Sequence, residues 1–212
     1  MMMETNKIPN KIVKGNLKRL NLQRVQGIAL HHMAHPNADI KTVEGWHINQ
    51  GYNAIGYNFW VGFDGTIYEG RGLTLGAHTL GHNETTIGIG FQGDYSKDVV
   101  MPVEQFNAGI DIISFVKAKV PSIVKIGGHK DYMATACPGQ YFPLEEMISG
   151  KKRSVEMIYN YVDDNMPEWA RVPVQWAVDK GIVKGDGNGL NLDDKDLKYI
   201  TYIYRAFKVK EG

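Results

Sequence analysis

The chain has 212 residues, 43% of them hydrophobic and 22% charged, with a formal net charge of +1 and a single cysteine. That is enough to bury a core as one large domain, or as one domain with a small appendage. The charge balance gives no footprint for nucleic acid, one cysteine excludes an internal disulfide and suits a reducing compartment, and no apolar run approaches the ~20 residues that span a bilayer, so membrane insertion is not expected.

The start, Met1 to Lys7, lacks the apolar stretch of a secretory signal, so synthesis in the cytoplasm is expected. Residues 1–24 are polar and basic and are expected on the surface. Gly27-Ile28-Ala29-Leu30 reads as a short buried strand that delivers His31 and His32 at its end. Successive strand side chains alternate faces, so only one of the two histidines faces a given site. Asn37 is placed to cap a helix from about Ala38 to Gln50, with Gly51 as its stop. Ile40, Val43 and His47 share a face of that helix, with Trp46 beside them, and the face reads as core packing. Ile55 to Phe63 and Thr66 to Glu69 flank Asp64-Gly65, which is a strong hairpin signal. Alternation along the first arm puts Tyr57, Phe59, Val61 and Phe63 on one face, with Tyr57 at the rim.

Residues 70–86 form a glycine-rich loop holding His78 and His82, and a loop of that length in a compact domain is usually functional. Ile87 to Phe91 reads as a buried strand. Pro102 opens a helix to about Lys119 with Val103, Phe106, Ile110, Ile113 and Val116 as its apolar stripe. Ile123 to Ile126 is the next strand and delivers His129, and Pro143 opens a short helix ending at Gly150. The order β-α-β-β-loop-β-α-β-α predicts an α/β domain, a mixed central sheet flanked by helices. The charged stretch Gly150-Lys151-Lys152-Arg153 marks a boundary between a catalytic domain, 1–150, and a small helical C-terminal domain, 151–212. In the latter Val155, Ile158 and Val162 follow helical spacing, and Trp169, Trp176, Val178 and Ile182 suggest a compact segment.

The densest chemistry lies between Gly127 and Gly139. Here the one cysteine, Cys137, has His129 eight positions before it and Pro138-Gly139 turning the chain directly after it. Together with His31-His32, one cysteine and two histidines from distant segments suggest a zinc site with three protein ligands. Three ligands leave the fourth tetrahedral position open, as catalytic zinc sites do. The alternatives are a thiol hydrolase using Cys137 and His129, and a structural zinc site closed by His78 or His32.

With those residues in place, the sequence resembles the zinc-dependent N-acetylmuramoyl-L-alanine amidases related to bacteriophage lysozyme-type amidases and peptidoglycan recognition proteins. The resemblance covers about Gly27 to Phe142. Five pieces carry it in the family's order: Ala29-Leu30-His31-His32, Gly56-Tyr57-Asn58-Phe59 with its Asp64-Gly65 hairpin, Gly76-Ala77-His78, Asn83 leading to Ile87-Gly88-Ile89, and His129 with Cys137-Pro138-Gly139. It implies the peptidoglycan recognition protein/amidase fold, with Zn2+ held by His31, His129 and Cys137. It also implies Tyr57 as the catalytic tyrosine and Thr135 as a second catalytic residue, a place taken by Lys or Thr in different branches. His32, beside the ligands, His78 and Asn83 are expected at the substrate-binding surface. A related branch places a glutamate base on the strand matching Ile87 to Phe91, where this chain has Gly90.

The activity so implied is hydrolysis of the amide between N-acetylmuramic acid and L-alanine in bacterial peptidoglycan. A phage endolysin of this kind is made in the host cytoplasm and acts on the cell wall after release. The alternative is a non-catalytic peptidoglycan recognition module, which commonly lacks the cysteine. The tail, Trp169-Ala170 and Trp176 to Gly187, is similar to a single S-layer-homology-like motif, which implies a secondary cell-wall polymer as partner. The anion-binding arginine of that motif is missing. The other reading of the tail is a helical cap packed on the catalytic domain or on a second copy of the chain, as in a homo-oligomer.

Overall fold

Six strands build one mixed sheet in the computed structural model, which describes residues 6–7, 17–97, 99–154 and 157–211. They are β1 (Asn6–Lys7), β2 (Gly27–His32), β3 (Phe59–Val61), β4 (Ile67–Glu69), β5 (Thr86–Phe91) and β6 (Lys125–Gly128), in the spatial order β1-β4-β3-β5-β2-β6. The β3–β4 pair is antiparallel, and the other pairs are parallel. Helices α1 (Ile40–Asn49), α2 (Val103–Lys119) and α3 (Leu144–Ile148) accompany this sheet, and α4 (Glu168–Asp179) and α5 (Asp194–Glu211) follow. The chain divides into two compact units, Met1–Arg153 and Ser154–Gly212.

Alternation along β2 and β5 gives the sheet two unlike faces. Ile28, Leu30, Ile87, Ile89 and Phe91 join Phe59 and Val61 in the main core, under the stripe Phe106, Ile110, Ile113 and Val116 of α2. Phe106, Ile112 and Val116 are completely buried, each contributing roughly 1.5–3 kcal/mol. The opposite face pairs Ala29 with Gly88 and His31 with Gly90. Small residues there leave room for rings to lie on the backbone. A Cβ at Gly90 would stand 3.0–3.1 Å from the side chains of Met33, Trp60 and Tyr57.

Some elements differ from the sequence reading. Helix α1 is capped by Asp39 rather than Asn37: Asp39 Oδ1 accepts from the Thr42 N–H at 2.8 Å, while the Asn37 N–H donates to His35 Nδ1. Gly51, at φ +89°, ends the helix in a conformation that suits glycine. The hairpin turns at Asp64-Gly65, but its first arm is regular only from Phe59. Asn58 breaks it, donating to the carbonyls of Gly72 and Thr74 and accepting from the Gly88 N–H. Tyr57 therefore leaves the face of Phe59 and Val61 and packs with Trp60, ring centroids 6.1 Å apart, beside Ile40, Val43 and Ile55. Strand β6 begins at Lys125, two residues later than expected, because Val124 and Lys125 first bond to the Gln26 carbonyl. Strand β1, inside the stretch assigned to the surface, pairs with β4.

In the second unit, α4 and α5 pack around Met166, Ala170, Val174, Ala177, Leu197 and Ile200. A bridge between Tyr159 and Leu192 closes the approach to α5. Val155 lies outside the described residues. Ile158 and Val162 fall in a non-helical stretch, because Tyr159 pairs with Leu192 and Asn160 accepts from the Leu190 N–H.

Candidate metal and catalytic centre

Strand β2 carries His31 on the glycine face, 1% exposed. Strand β6 runs into a one-turn 3₁₀ helix that starts at His129. Two hydrogen bonds fix this corner: the Asp131 carboxylate accepts from the Gly128 N–H at 2.7 Å, and the Lys130 N–H donates to the Cys137 carbonyl at 2.8 Å. Beyond a cis Cys137–Pro138 bond, Gly139 takes φ +97° and presses on the Tyr95 backbone so closely that a Cβ would sit 2.2 Å from the Tyr95 oxygen. Only glycine fits there. The result is convergence. Cys137 Sγ lies 3.9 Å from His31 Nδ1, and the His31 and His129 rings are 4.4 Å apart.

One ligand atom from each of His31, His129 and Cys137 lies within 4.8 Å of the others, the one such cluster among the described residues. The donor set is two imidazoles and a thiol, which suits zinc. Tetrahedral bonds of about 2.0–2.3 Å would hold such atoms about 3.3–3.6 Å apart, so binding asks for a small inward shift. Nε2 of His129 is buried without a hydrogen-bond partner, so the protein alone leaves a ligand ring incompletely satisfied. The residues fit the metal.

The electrostatics point the same way. Burial holds His31 well below the ordinary histidine value, and the nearby His78, His129 and His32 add to the shift. Burial also lowers His129. It pushes the Cys137 thiol up to about 11, against a hydrogen bond to the His32 backbone. Both imidazoles are thus neutral near pH 7 and ready to coordinate, while the thiol keeps its proton until a cation displaces it.

Tyr57 stands beside this cluster, its ring 5.2 Å from His31 and 5.6 Å from His47. Burial, then the proximity of Cys137 and Tyr52, raises its pKa, so it remains a phenol. Thr135 is exposed, and its Oγ1 accepts from the Cys137 N–H at 3.3 Å. The other expected residues sit differently. His32 points to the opposite sheet face, where its Nδ1 accepts from the Tyr95 N–H at 2.9 Å and lies 3.7 Å from Asp94. His78 lies on the far side of His31, its Nδ1 3.2 Å from His31 Nε2. Asn83 Oδ1 accepts from the N–H groups of both His78 and Thr79 and so shapes their loop. Neither His32 nor His78 joins the three-residue cluster, so neither closes the site as a fourth protein ligand.

Two supports of Tyr57 escaped the sequence reading. Arg71 donates to the carbonyls of Ile55, Leu75 and Ala54, which pins the segment leading into Tyr57. His47 Nδ1 accepts from the Gly56 N–H at 3.0 Å, and its ring packs on Tyr52 and Tyr57. The signals were slight: an arginine between two glycines, and a histidine on a helix face taken for core.

A family profile for N-acetylmuramoyl-L-alanine amidases matches residues 21–140. Peptidoglycan-recognition protein SC1a of Drosophila melanogaster is 36% identical over 109 residues, 50% of this chain and 58% of that protein. The human N-acetylmuramoyl-L-alanine amidase is 36% identical over 114 residues, 48% of this chain and 18% of that protein. This chain thus spans little more than half of the first relative's length and far less of the second's. Among solved structures, the endolysin N-acetylmuramoyl-L-alanine amidase LysCS from Clostridium intestinale URNW aligns with a TM-score of 0.63 at 28% identity, over 70% of this chain and 95% of that one. The mixed sheet with its flanking helices is the fold these proteins share. By the match over more than half its length, the chain belongs to the N-acetylmuramoyl-L-alanine amidase family.

Proposed function

We propose that this protein is a zinc-dependent, endolysin-type amidase that hydrolyses the bond between N-acetylmuramic acid and L-alanine in bacterial peptidoglycan. The observation that carries the reading is the convergence of His31, His129 and Cys137 beside a neutral Tyr57. Zinc, when bound, supplies a Lewis acid and lowers the pKa of a bound water to about 7. His31 and His129 meet a metal without shedding a proton, and Cys137 gives up one. Tyr57, held as a phenol, is a hydrogen-bond donor and not a base. Such a donor suits the oxygen that gains charge at the scissile carbonyl, where one donor is worth roughly 3–4 kcal/mol. Thr135 already accepts from the Cys137 N–H, which leaves its own O–H to donate toward substrate. Being neutral, it contributes less than a cation would. The place of a glutamate base is taken by Gly90, where the side chains of Met33, Trp60 and Tyr57 lie close over the backbone. The similarity to LysCS and the intact His-His-Cys set favour an enzyme over a recognition module.

Digesting purified peptidoglycan and analysing the products by mass tests this. New L-alanine amino termini without new reducing sugar ends are expected. New reducing ends, or other amino termini, would refute it.

A further inference from the structure

The imidazole of His31 is engaged on both sides. Its Nδ1 faces Cys137 Sγ at 3.9 Å, and its Nε2 lies 3.2 Å from Nδ1 of His78, the two rings nearly perpendicular at 81°. A histidine that offers Nδ1 to a metal must carry its proton on Nε2, and the group bonded there decides whether it does. We propose that His78 is the positioning residue that fixes this tautomer of His31, its own Nδ1 accepting the His31 Nε2–H. The inference rests on the zinc reading above.

The surroundings of His78 are built to hold it there. A Cβ on Gly88 would stand 2.3–2.5 Å from Cγ, Cδ2 and Nδ1 of His78, and one on Gly76 would stand 2.5 Å from Cδ2 and 2.8 Å from Nε2, so the ring occupies space that glycines leave open. Gly88 is itself fixed by its N–H bond to Asn58 Oδ1. The Thr79 hydroxyl lies 2.9 Å from His78 Nδ1, and Asn83 holds the backbone of both residues. Nε2 of His78 is buried without a good hydrogen-bond partner.

A neutral acceptor also fits the charge of the centre. Metal-bound histidines usually donate to a carboxylate or a carbonyl. Cys137 already supplies one negative charge, and a carboxylate behind His31 would add a second and weaken the metal as a Lewis acid. His78 orients the ligand without adding charge.

Chelator competition for zinc on the full chain provides the test. His78→Phe, which keeps an aromatic ring but has no acceptor, is expected to bind zinc about 10–100-fold more weakly than wild type. His78→Asn, whose Oδ1 falls near the place of Nδ1, is expected to regain most of that loss. Long-range nitrogen–proton NMR of the zinc-loaded wild type reads the tautomers with no substitution at all, and should find protons on Nε2 of both His31 and His78. A proton on His78 Nδ1, or a folded His78→Phe with zinc affinity within about twofold of wild type, overturns the assignment. A wild type that binds no zinc overturns the metal reading itself, so the two failures are told apart.

Discussion

The two units of the chain use their interiors differently. The first buries polar side chains: His31, His32, Asn58, Thr79, Thr86 and Gln105 are each no more than 8% exposed. In the second, Thr201 is the buried polar residue among those described. Several of its large side chains turn outward, with Trp169, Tyr199, Tyr202 and Ile203 between 46% and 66% exposed. All seven histidines and the one cysteine belong to the first unit. Burying a polar side chain costs free energy unless it finds a hydrogen-bond partner, so a fold accumulates such bonded side chains where it needs chemistry held in place. The first unit has the marks of a reaction centre. The second has those of a small helical body with an apolar surface.

The contrast is sharpest at the three residues proposed to hold the metal. His31→Ala, His129→Ala or Cys137→Ala should each lose most of the zinc, measured by metal analysis of the purified protein. Peptidoglycan cleavage should fall on the order of 10³-fold or more, since a Lewis acid supplies several kcal/mol. Full zinc occupancy in Cys137→Ala would mean that the centre lies elsewhere. Tyr57→Phe comes next. It should keep zinc and melt like wild type but lose about 100- to 1000-fold in kcat, because only the donor is removed. Activity close to wild type would reduce Tyr57 to a packing residue.

Much of the first unit was readable before its structure, and the reasons are local. The apolar runs of β2 and β5, the stripe of α2 and the Asp64-Gly65 turn each announce themselves through periodicity or turn chemistry. Cys137 stood out because no other cysteine competes with it. What was hidden depends on contacts between distant segments. Nothing near Tyr57 in sequence says that Asn58 bonds to Gly72, Thr74 and Gly88 and so moves Tyr57 to the other face. His78 reads as a substrate-facing loop residue, or as a fourth metal ligand, until the sheet places Gly88 beneath its ring. The helical spacing of Ile158 and Val162 misled for the same reason, since the pairing of Tyr159 with Leu192 overrides a weak local preference.

Acid should separate the two units by a smaller margin. In the metal-free protein His31, His32, His47, His78 and His129 all titrate below 6.5, chiefly through burial, and His78 falls to about 3. Above about 6.5 folded and unfolded chains alike hold these groups neutral, and the stability is fully present. Below it the unfolded chain takes up protons that the folded one refuses, so stability falls as pH falls. His31 and His78, the most strongly shifted, each cost up to about 1.4 kcal/mol per pH unit in that window, and the less shifted rings cost less. Each kcal/mol should move the melting point by about 2–4 °C. The second unit has no histidine, so its transition should hardly move between pH 7 and pH 5. Calorimetry in a chelating buffer reads both, and a first unit insensitive to this change would contradict the buried neutral histidines.

Removing the second unit should have the smallest effect on chemistry. Every residue assigned to the metal or the reaction lies between His31 and Cys137, and all five fall inside the compact unit that ends at Arg153. A chain ending at Arg153 should therefore bind zinc and cleave soluble muropeptides within about twofold of the full chain, as expected for distant and independent parts. Binding to whole walls should fall if the outward aromatics of the second unit contact a wall polymer, and pull-down on purified walls measures that separately from turnover. If the second unit is instead a cap, its removal exposes apolar surface, and the melting point drops while wall binding holds. A shortened chain that folds but neither takes up zinc nor cuts soluble substrate would show that the second unit completes the centre, and the division of labour between the two would fail.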